Sequence, residues 1–176
     1  MRRMRGGMRR LIVVIALLGL TAIARAGHPI NAEHRAPLQP FVLDQYRGGQ
    51  IDFTAYRGRV VLVNFWATWC APCVAEFPSL LAVKDGLAGQ PFEILAINMG
   101  EQDDAIAGFI GTLDRAVNFP ILVDRPAITV AERWPVRALP TTIIVDKAGN
   151  LAFTMPGGRD WNSAAARALI RPFLHE

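Results

Sequence analysis

Two cysteines lie three positions apart directly after a continuous apolar segment. The segment Val60–Trp66 (VVLVNFW) is interrupted only by Asn64, as expected of a strand that is buried on both faces of a sheet. Cys70 and Cys73 follow in the sequence WCAPC, and the apolar residues after them recur at roughly helical spacing. We therefore predict a strand that leads through the cysteine pair into a helix.

The chain has no other cysteines, and the spacing of these two favours chemistry over a structural crosslink. A disulfide that closes four residues constrains the unfolded chain by only about 2 kcal/mol, less than a longer loop would give. At the start of a helix, free N–H groups and the helix dipole favour a thiolate. Cys70 is thus the candidate nucleophile and Cys73, about one turn later, the candidate resolving thiol of a redox disulfide. Pro72 presets the first helical turn.

A Cys-x-x-Cys pair has metal-binding uses as well. A zinc site needs a second pair of ligands, whereas the histidines (His28, His34 and His175) lie near the two ends of the chain behind the leader described next. A copper module would need a further His or Met in the fold. We predict no metal and no cofactor, and keep a metallochaperone or metal-binding module using both sulfurs as the alternative function.

The first 26 residues differ from the rest of the chain. Five arginines between positions 2 and 10 precede an uncharged run over 11–24, which ends in the small-x-small sequence ARA. This order predicts a secretory signal peptide over 1–26. An uncleaved membrane anchor is the alternative, but Arg25 ends the run before the about 20 apolar residues that a spanning helix needs. Either way we expect export to the periplasm.

The leader also accounts for the apparent basicity of the chain. Six of the 19 Lys and Arg residues lie in it but none of the 15 Asp and Glu residues, which leaves 13 basic and 15 acidic residues and a formal charge of −2 behind it. That part has no Lys/Arg cluster with interleaved aromatic residues. We therefore exclude nucleic acid as a partner.

Behind the leader, the polar, proline-broken stretch 27–39 predicts a tether and residues 40–176 a single domain. Segments 41–43 and 51–53 flank a glycine turn and predict a hairpin. Further strands are predicted at 92–97, 120–123, 141–145 and 151–154, and helices at 74–87, 103–113, 127–134 and 160–174, with Asp160 or Asn162 near the cap of the last helix. This order predicts an α/β domain with a mixed sheet between helices.

The sequences VVLVNFWATWCAPCVAEFPSL and VRALPTTIIVDKAGNL, with the spacing between them, resemble the TlpA/ResA-like family of exported thioredoxin-like proteins over about residues 40–176. The resemblance implies a thioredoxin-like three-layer fold, in which a central mixed β-sheet is flanked by helices. It also implies an N-terminal β-hairpin and a family-type inserted helix within 101–118. The implied activity is that of a protein-disulfide oxidoreductase.

The resemblance also implies roles for single residues. Pro140 matches the cis-proline that faces the cysteines in this fold. It would leave the Leu139 backbone accessible for strand-like pairing with a substrate peptide. Trp69 and Pro72 complete the expected substrate-binding surface. Glu76 matches the acid of the pattern WCxPCxxE and would carry protons during exchange, the alternative being a plain first-turn glutamate that favours the helix dipole.

Family members of this kind generally act as reductants. The implied partners are exported disulfide proteins, either apocytochromes in cytochrome c maturation or copper-site proteins in oxidase assembly, together with a membrane thiol-reducing electron donor. We expect a monomer. The residues themselves leave the direction of electron flow open, since small changes at the Cys70 thiolate set the potential. A peroxidase on the same fold is disfavoured because the residues before Cys70 (FWATW) lack the proline of Pro-x-x-x-Thr/Ser-x-x-Cys.

Overall fold

The computed structural model describes residues 36–127, 130 and 132–176. The predicted signal peptide and residues 27–35 of the predicted tether lie outside the described residues. The remainder of that stretch lies along the last hairpin, where Leu151 N donates to Ala36 O at 3.0 Å and Leu38 N to Gly149 O at 3.2 Å. Within the described ranges, no helix has the length and apolar character needed to cross a bilayer.

Seven strands form one mixed sheet in the order β2-β1-β5-β4-β3-β6-β7. Strands β3, β4 and β5 run parallel, whereas β6 and β7 add an antiparallel edge and β1 and β2 form the opposite one. The predicted fold class is confirmed, and so are both hairpins. The strands from β1 to β7 are Val42–Gln45, Gln50–Asp52, Val60–Trp66, Phe92–Met99, Ile121–Asp124, Thr141–Val145 and Leu151–Pro156.

Side chains of the central strand β3 alternate between two separate cores, because successive residues of a strand face opposite sides of the sheet. Val60, Leu62 and Trp66 belong to one core, and the intervening residues Val61 and Val63 to the other. Both faces are covered, which explains why the strand is apolar throughout apart from Asn64.

Three helices cover the first face: α1 (Ala71–Gly86), α2 (Asp103–Ile110) and α3 (Ala164–Leu174). The other face is covered by Leu38 and Phe41 ahead of β1, a 3-10 turn at Phe53–Tyr56 and the segment around Trp134. Trp134 lies at the centre of an aromatic cluster with Phe41, Phe53 and Phe65. The inserted helix that the family resemblance implied is α2.

Two helices differ from the sequence-based prediction. The last helix begins at Ala164 and not at about residue 160: residues 160–163 form a turn, and the N-cap is Ser163, next to Asn162, with its Oγ accepting from Ala166 N. The helix predicted at 127–134 includes residues outside the described ones, and its described residues form a bend at 127 and turns at 130 and 132–134. The first difference arises because the Asp160 carboxylate accepts from Asn162 N and so stabilises the turn.

Candidate active site

The two cysteines form a disulfide at the point where β3 passes into α1. The S–S distance is 2.05 Å and the Cα atoms lie 5.3 Å apart. Cys70 is the N-cap of α1 and Pro72 stands in its first turn, as the sequence predicted. Trp69 is 71% exposed, Cys70 6% and Cys73 0%, so a partner that approaches over Trp69 meets the sulfur of Cys70 before that of Cys73.

Leu139 and Pro140 lie at the same edge of the sheet. The peptide bond between them is cis, as the family resemblance implied. The next residue, Thr141, pairs with Phe65 near the carboxyl end of β3, which is the end from which the cysteine loop leaves the sheet. In the described part of the chain no backbone hydrogen bond engages Leu139, so its peptide groups can pair with an incoming strand.

Glu76 is buried beneath the cysteine pair, on the side of α1 that faces the sheet. Its Oε1 accepts from Asn64 Nδ2 at 2.8 Å. Its Oε2 accepts from Arg159 N at 3.1 Å and from Trp161 Nε1 at 3.3 Å. All of these partners are donors, so the site is built around a carboxylate, although that carboxylate is almost wholly removed from water.

These contacts act in opposite directions on the protonation of Glu76. Burial raises the pKa of the carboxyl above its ordinary value of 4.5, and the hydrogen bonds from Asn64, Arg159 and Trp161 offset only part of that increase. A carboxyl with a raised pKa can exchange protons closer to neutral pH than an exposed one. This is the property that a proton carrier beside a dithiol needs.

Asn64 connects Glu76 to the sheet. Its Nδ2 also donates to Thr142 Oγ1 at 2.9 Å, across the β3–β6 pair, and its Oδ1 is buried with no hydrogen-bond partner. Asn64 and Thr142 lie on the face of the sheet that α1 covers, since they alternate with residues of the opposite core. The single polar residue in VVLVNFW is therefore a hydrogen-bonded group under the helix, in contact with Glu76 and with β6.

A second carboxylate, which the sequence analysis did not single out, holds the loop that carries the cysteines. Glu101 Oε2 accepts from Thr68 N at 2.7 Å and Oε1 from Thr68 Oγ at 2.5 Å. Asn98 Nδ2 donates to Oε2 at 2.7 Å. Glu101 lies just before α2, so this contact ties the inserted segment to the residue two positions before Cys70. The nearest sequence sign was a lone acid after a buried strand, which is too common to be diagnostic.

Glu101→Gln is expected to loosen this loop. Three donors now meet the Glu101 carboxylate, and the uncharged amide replaces one of its oxygens by an NH₂ group. The bonds lose the strength that the charge gives them, at a cost of about 1–3 kcal/mol. We expect a lower free energy of unfolding in urea and slower thiol exchange. Glu93→Gln is the control, because Glu93 pairs with Lys84 near the other end of β4 and should leave exchange unchanged. If Glu101→Gln and Glu93→Gln exchange disulfides at the same rate, Glu101 does not position the cysteine loop.

The segment 157–161 closes the site from the other side of α1. Gly158 packs so tightly on Pro72 that a Cβ on it would lie 3.0 Å from Pro72 O. Trp161 N donates to Ser79 Oγ at 3.0 Å, and the Trp161 side chain is fully buried. The segment is thus fixed against both the cysteine turn and Glu76. No group of three or more His, Cys, Asp or Glu residues suited to holding a metal ion occurs among the described residues.

Comparison with known proteins gives a consistent result. The model of the AhpC/TSA family matches residues 33–154. The thiol-disulfide oxidoreductase ResA of Bacillus subtilis (strain 168) is 33% identical over 150 residues, which cover 84% of this chain and 81% of ResA. Among solved structures, a secreted thiol-disulfide isomerase from Corynebacterium glutamicum is 25% identical with a TM-score of 0.74, covering 89% of this chain and 96% of the other.

The pneumococcal exposed lipoprotein thioredoxin of Streptococcus pneumoniae strain TIGR4 is 32% identical with a TM-score of 0.63, and the match covers 74% of this chain and 98% of that one. The family match extends over the cysteine pair, Glu76 and Pro140. The predicted resemblance is therefore confirmed, together with the activity class of thiol-disulfide oxidoreductase.

Proposed function

Because the chain belongs to the AhpC/TSA family and, within it, to the TlpA/ResA-like thiol-disulfide oxidoreductases, we propose that it reduces disulfides in exported partner proteins. The observation that carries the proposal is the order of exposure at the helix start, with Trp69 open to solvent, Cys70 just accessible and Cys73 enclosed. An attacking thiol must reach its partner, whereas a resolving thiol must wait until the partner is bound.

The reaction follows from that order. In the reduced protein the Cys70 thiolate attacks one sulfur of the partner disulfide, and the other partner sulfur leaves as a thiolate that takes up a proton. Cys73 then loses its proton and attacks Cys70, which releases the first partner sulfur as the second thiol. Two electrons pass from the dithiol to the partner, and the Cys70–Cys73 disulfide seen in the structure is the product.

Glu76 is the proposed proton carrier for the second step. It follows Cys73 by three positions on α1, so the two side chains lie on neighbouring positions of one helical face, and both are buried. Its raised pKa allows it to accept the proton that Cys73 must lose and to return a proton later. The alternative role of a plain first-turn glutamate is disfavoured because the first turn of α1 contains no acidic residue.

The partner is bound, in this proposal, as an extended segment along Leu139 and Pro140, with Trp69 and Pro72 contacting the residues around its cysteine. The substrate class that fits the family is an exported apocytochrome or a copper-site protein, and a membrane thiol donor returns the protein to its dithiol form. The signal peptide proposed for residues 1–26 would deliver the domain to the periplasm. The protein is proposed to act as a monomer.

The reduction potential is the direct test of the reductant role. We expect a value near that of thioredoxin, about −270 mV, rather than the oxidising value of about −120 mV, since no His between the cysteines over-stabilises the Cys70 thiolate. The measurement is equilibration of the full-length protein against a series of dithiothreitol or glutathione buffers. A potential above about −180 mV would assign the protein to disulfide formation instead.

A further inference from the structure

A cleft of about 300 Å³ opens beside the cysteine turn, between α1 and the segment 157–161. Pro72, Ala75 and Glu76 line it on the helix side, and Gly158 and Arg159 on the other. Pro72 lies between the two cysteines, so the cleft adjoins the surface over which a disulfide partner must dock. Residues of the partner that flank its reacting cysteine can therefore reach this cleft.

Both walls of the cleft are fixed in place. The close approach of Gly158 to Pro72 leaves no room for a side chain on Gly158. The backbone of Arg159 is held at both ends, since its N–H donates to Glu76 and its carbonyl accepts from Ser79 Oγ at 3.3 Å. The Arg159 side chain consequently starts from a defined position at the wall of the cleft.

The Arg159 guanidinium has few partners of its own. It lies over the Trp161 ring, with Cζ 5.4 Å from the ring centroid, and Nη2 makes one long bond of 3.4 Å to Pro156 O. Its Nε is buried without a hydrogen-bond partner. The guanidinium is therefore incompletely paired within the protein, and its terminal NH₂ groups at the wall of the cleft can bind an external acceptor.

The nearby acids do not satisfy this guanidinium. The Glu76 carboxylate already accepts three N–H groups, one of them from the Arg159 backbone, although the Arg159 charge does help to lower the pKa of Glu76. The Asp160 carboxylate accepts from Asn162 N at 2.9 Å. Across the described residues, no ion pair involves Arg159.

We propose that Arg159 is a specificity-determining residue that binds a carboxylate of the disulfide partner, an Asp or Glu side chain next to the cysteine that Cys70 attacks. The guanidinium lies over Trp161, and apart from the long bond from Nη2 to Pro156 O its two terminal NH₂ groups make no hydrogen bond within the described residues. A planar pair of charged NH₂ groups suits a carboxylate better than any neutral group. The proposal rests on the proposed exchange with protein disulfides, but it does not depend on the direction of electron flow.

The test uses two synthetic peptides, each with one internal disulfide, that differ only in a Glu or a Gln beside one cysteine. We expect the wild-type protein to favour the Glu peptide by about tenfold in kcat/KM at low salt, and less at high salt. Arg159→Gln should bring that ratio close to one, and Arg159→Lys should give an intermediate ratio, because Lys keeps the charge and loses the fork. Arg171→Gln, on the exposed side of α3, is the matched control and should keep the wild-type ratio.

A second measurement separates this inference from the proposed function. The Cys73→Ala protein forms a mixed disulfide with either peptide whichever way electrons normally flow, so the equilibrium constants of the two mixed disulfides report recognition alone. The proposal is supported, even for an oxidising protein, if the equilibrium constant is larger for the Glu peptide and this difference disappears with Arg159→Gln. Equal constants in the wild-type Arg159 background, or a ratio that Arg159→Gln leaves unchanged, would overturn it.

Discussion

Cys73→Ala is expected to abolish turnover and to capture the physiological partner as a mixed disulfide through Cys70. Exchange passes through a covalent intermediate between the nucleophile and a substrate sulfur, and Cys73 normally resolves it within the same site. Without Cys73 that step is lost, and Cys70 is then the only thiol in the chain. The species should accumulate in the exported compartment, survive non-reducing electrophoresis and disappear with dithiothreitol.

The identity of the trapped protein tests the partner classes. An apocytochrome would support a role in cytochrome c maturation, and a copper-site protein would support a role in oxidase assembly. Cys70→Ala is the matched control, since it removes the thiol that reaches the surface and leaves the buried one. If Cys70→Ala captures the partner and Cys73→Ala does not, the two roles are reversed. Capture by neither variant with the partner present would argue against dithiol exchange.

Glu76→Gln is expected to slow exchange by about 100-fold near neutral pH, which is the lower end of what general acid–base catalysis contributes. Glutamine keeps the size of the side chain and an oxygen acceptor but cannot take up a proton. The measurement is the rate of exchange with a disulfide peptide from pH 5 to pH 9 for both proteins. Glu132→Gln, at an exposed position, is the control for the substitution itself.

The same variant makes a prediction about stability. The pKa of Glu76 is raised in the folded protein, so the folded state holds its proton more tightly than the unfolded state does. The resulting stabilisation is present below the ordinary pKa of 4.5 and is lost as the pH rises through the higher folded value. The free energy of unfolding of the wild type should therefore fall relative to that of Glu76→Gln as the pH rises across this window.

Urea unfolding of the wild type and of Glu76→Gln at several pH values measures how the difference between their free energies of unfolding changes with pH. Superimposable rate profiles would reduce Glu76 to a structural residue that accepts hydrogen bonds from Asn64, Arg159 and Trp161. A stability difference that does not change with pH would mean that the carboxyl titrates normally in the folded protein. The pH profile of the exchange rate and the pH dependence of stability are independent measurements. If Glu76 carries protons, Glu76→Gln must change both.

The local sequence determined the elements that carry the cysteines. A continuous apolar strand, a Cys-x-x-Cys pair with a proline and a helical repeat act over neighbouring residues, so Val60–Trp66 and the start of α1 lie where the pattern placed them. The spacing of three positions between Cys73 and Glu76 likewise places these two side chains on one helical face. The motif around Pro140 was read through family resemblance, and the cis bond agrees with it.

Tertiary structure decided what those residues touch. The Glu76 carboxylate accepts hydrogen bonds from Arg159 and Trp161, which lie more than 80 positions later in the chain. The Glu101 carboxylate accepts from Thr68, which lies 33 positions earlier. These pairs depend on sheet order and on how α1 packs between the sheet and the segment after β7, and neither is encoded in a local repeat. Periodicity fixes which face of a strand or helix a side chain occupies, whereas the partner on that face is chosen only when distant segments pack together.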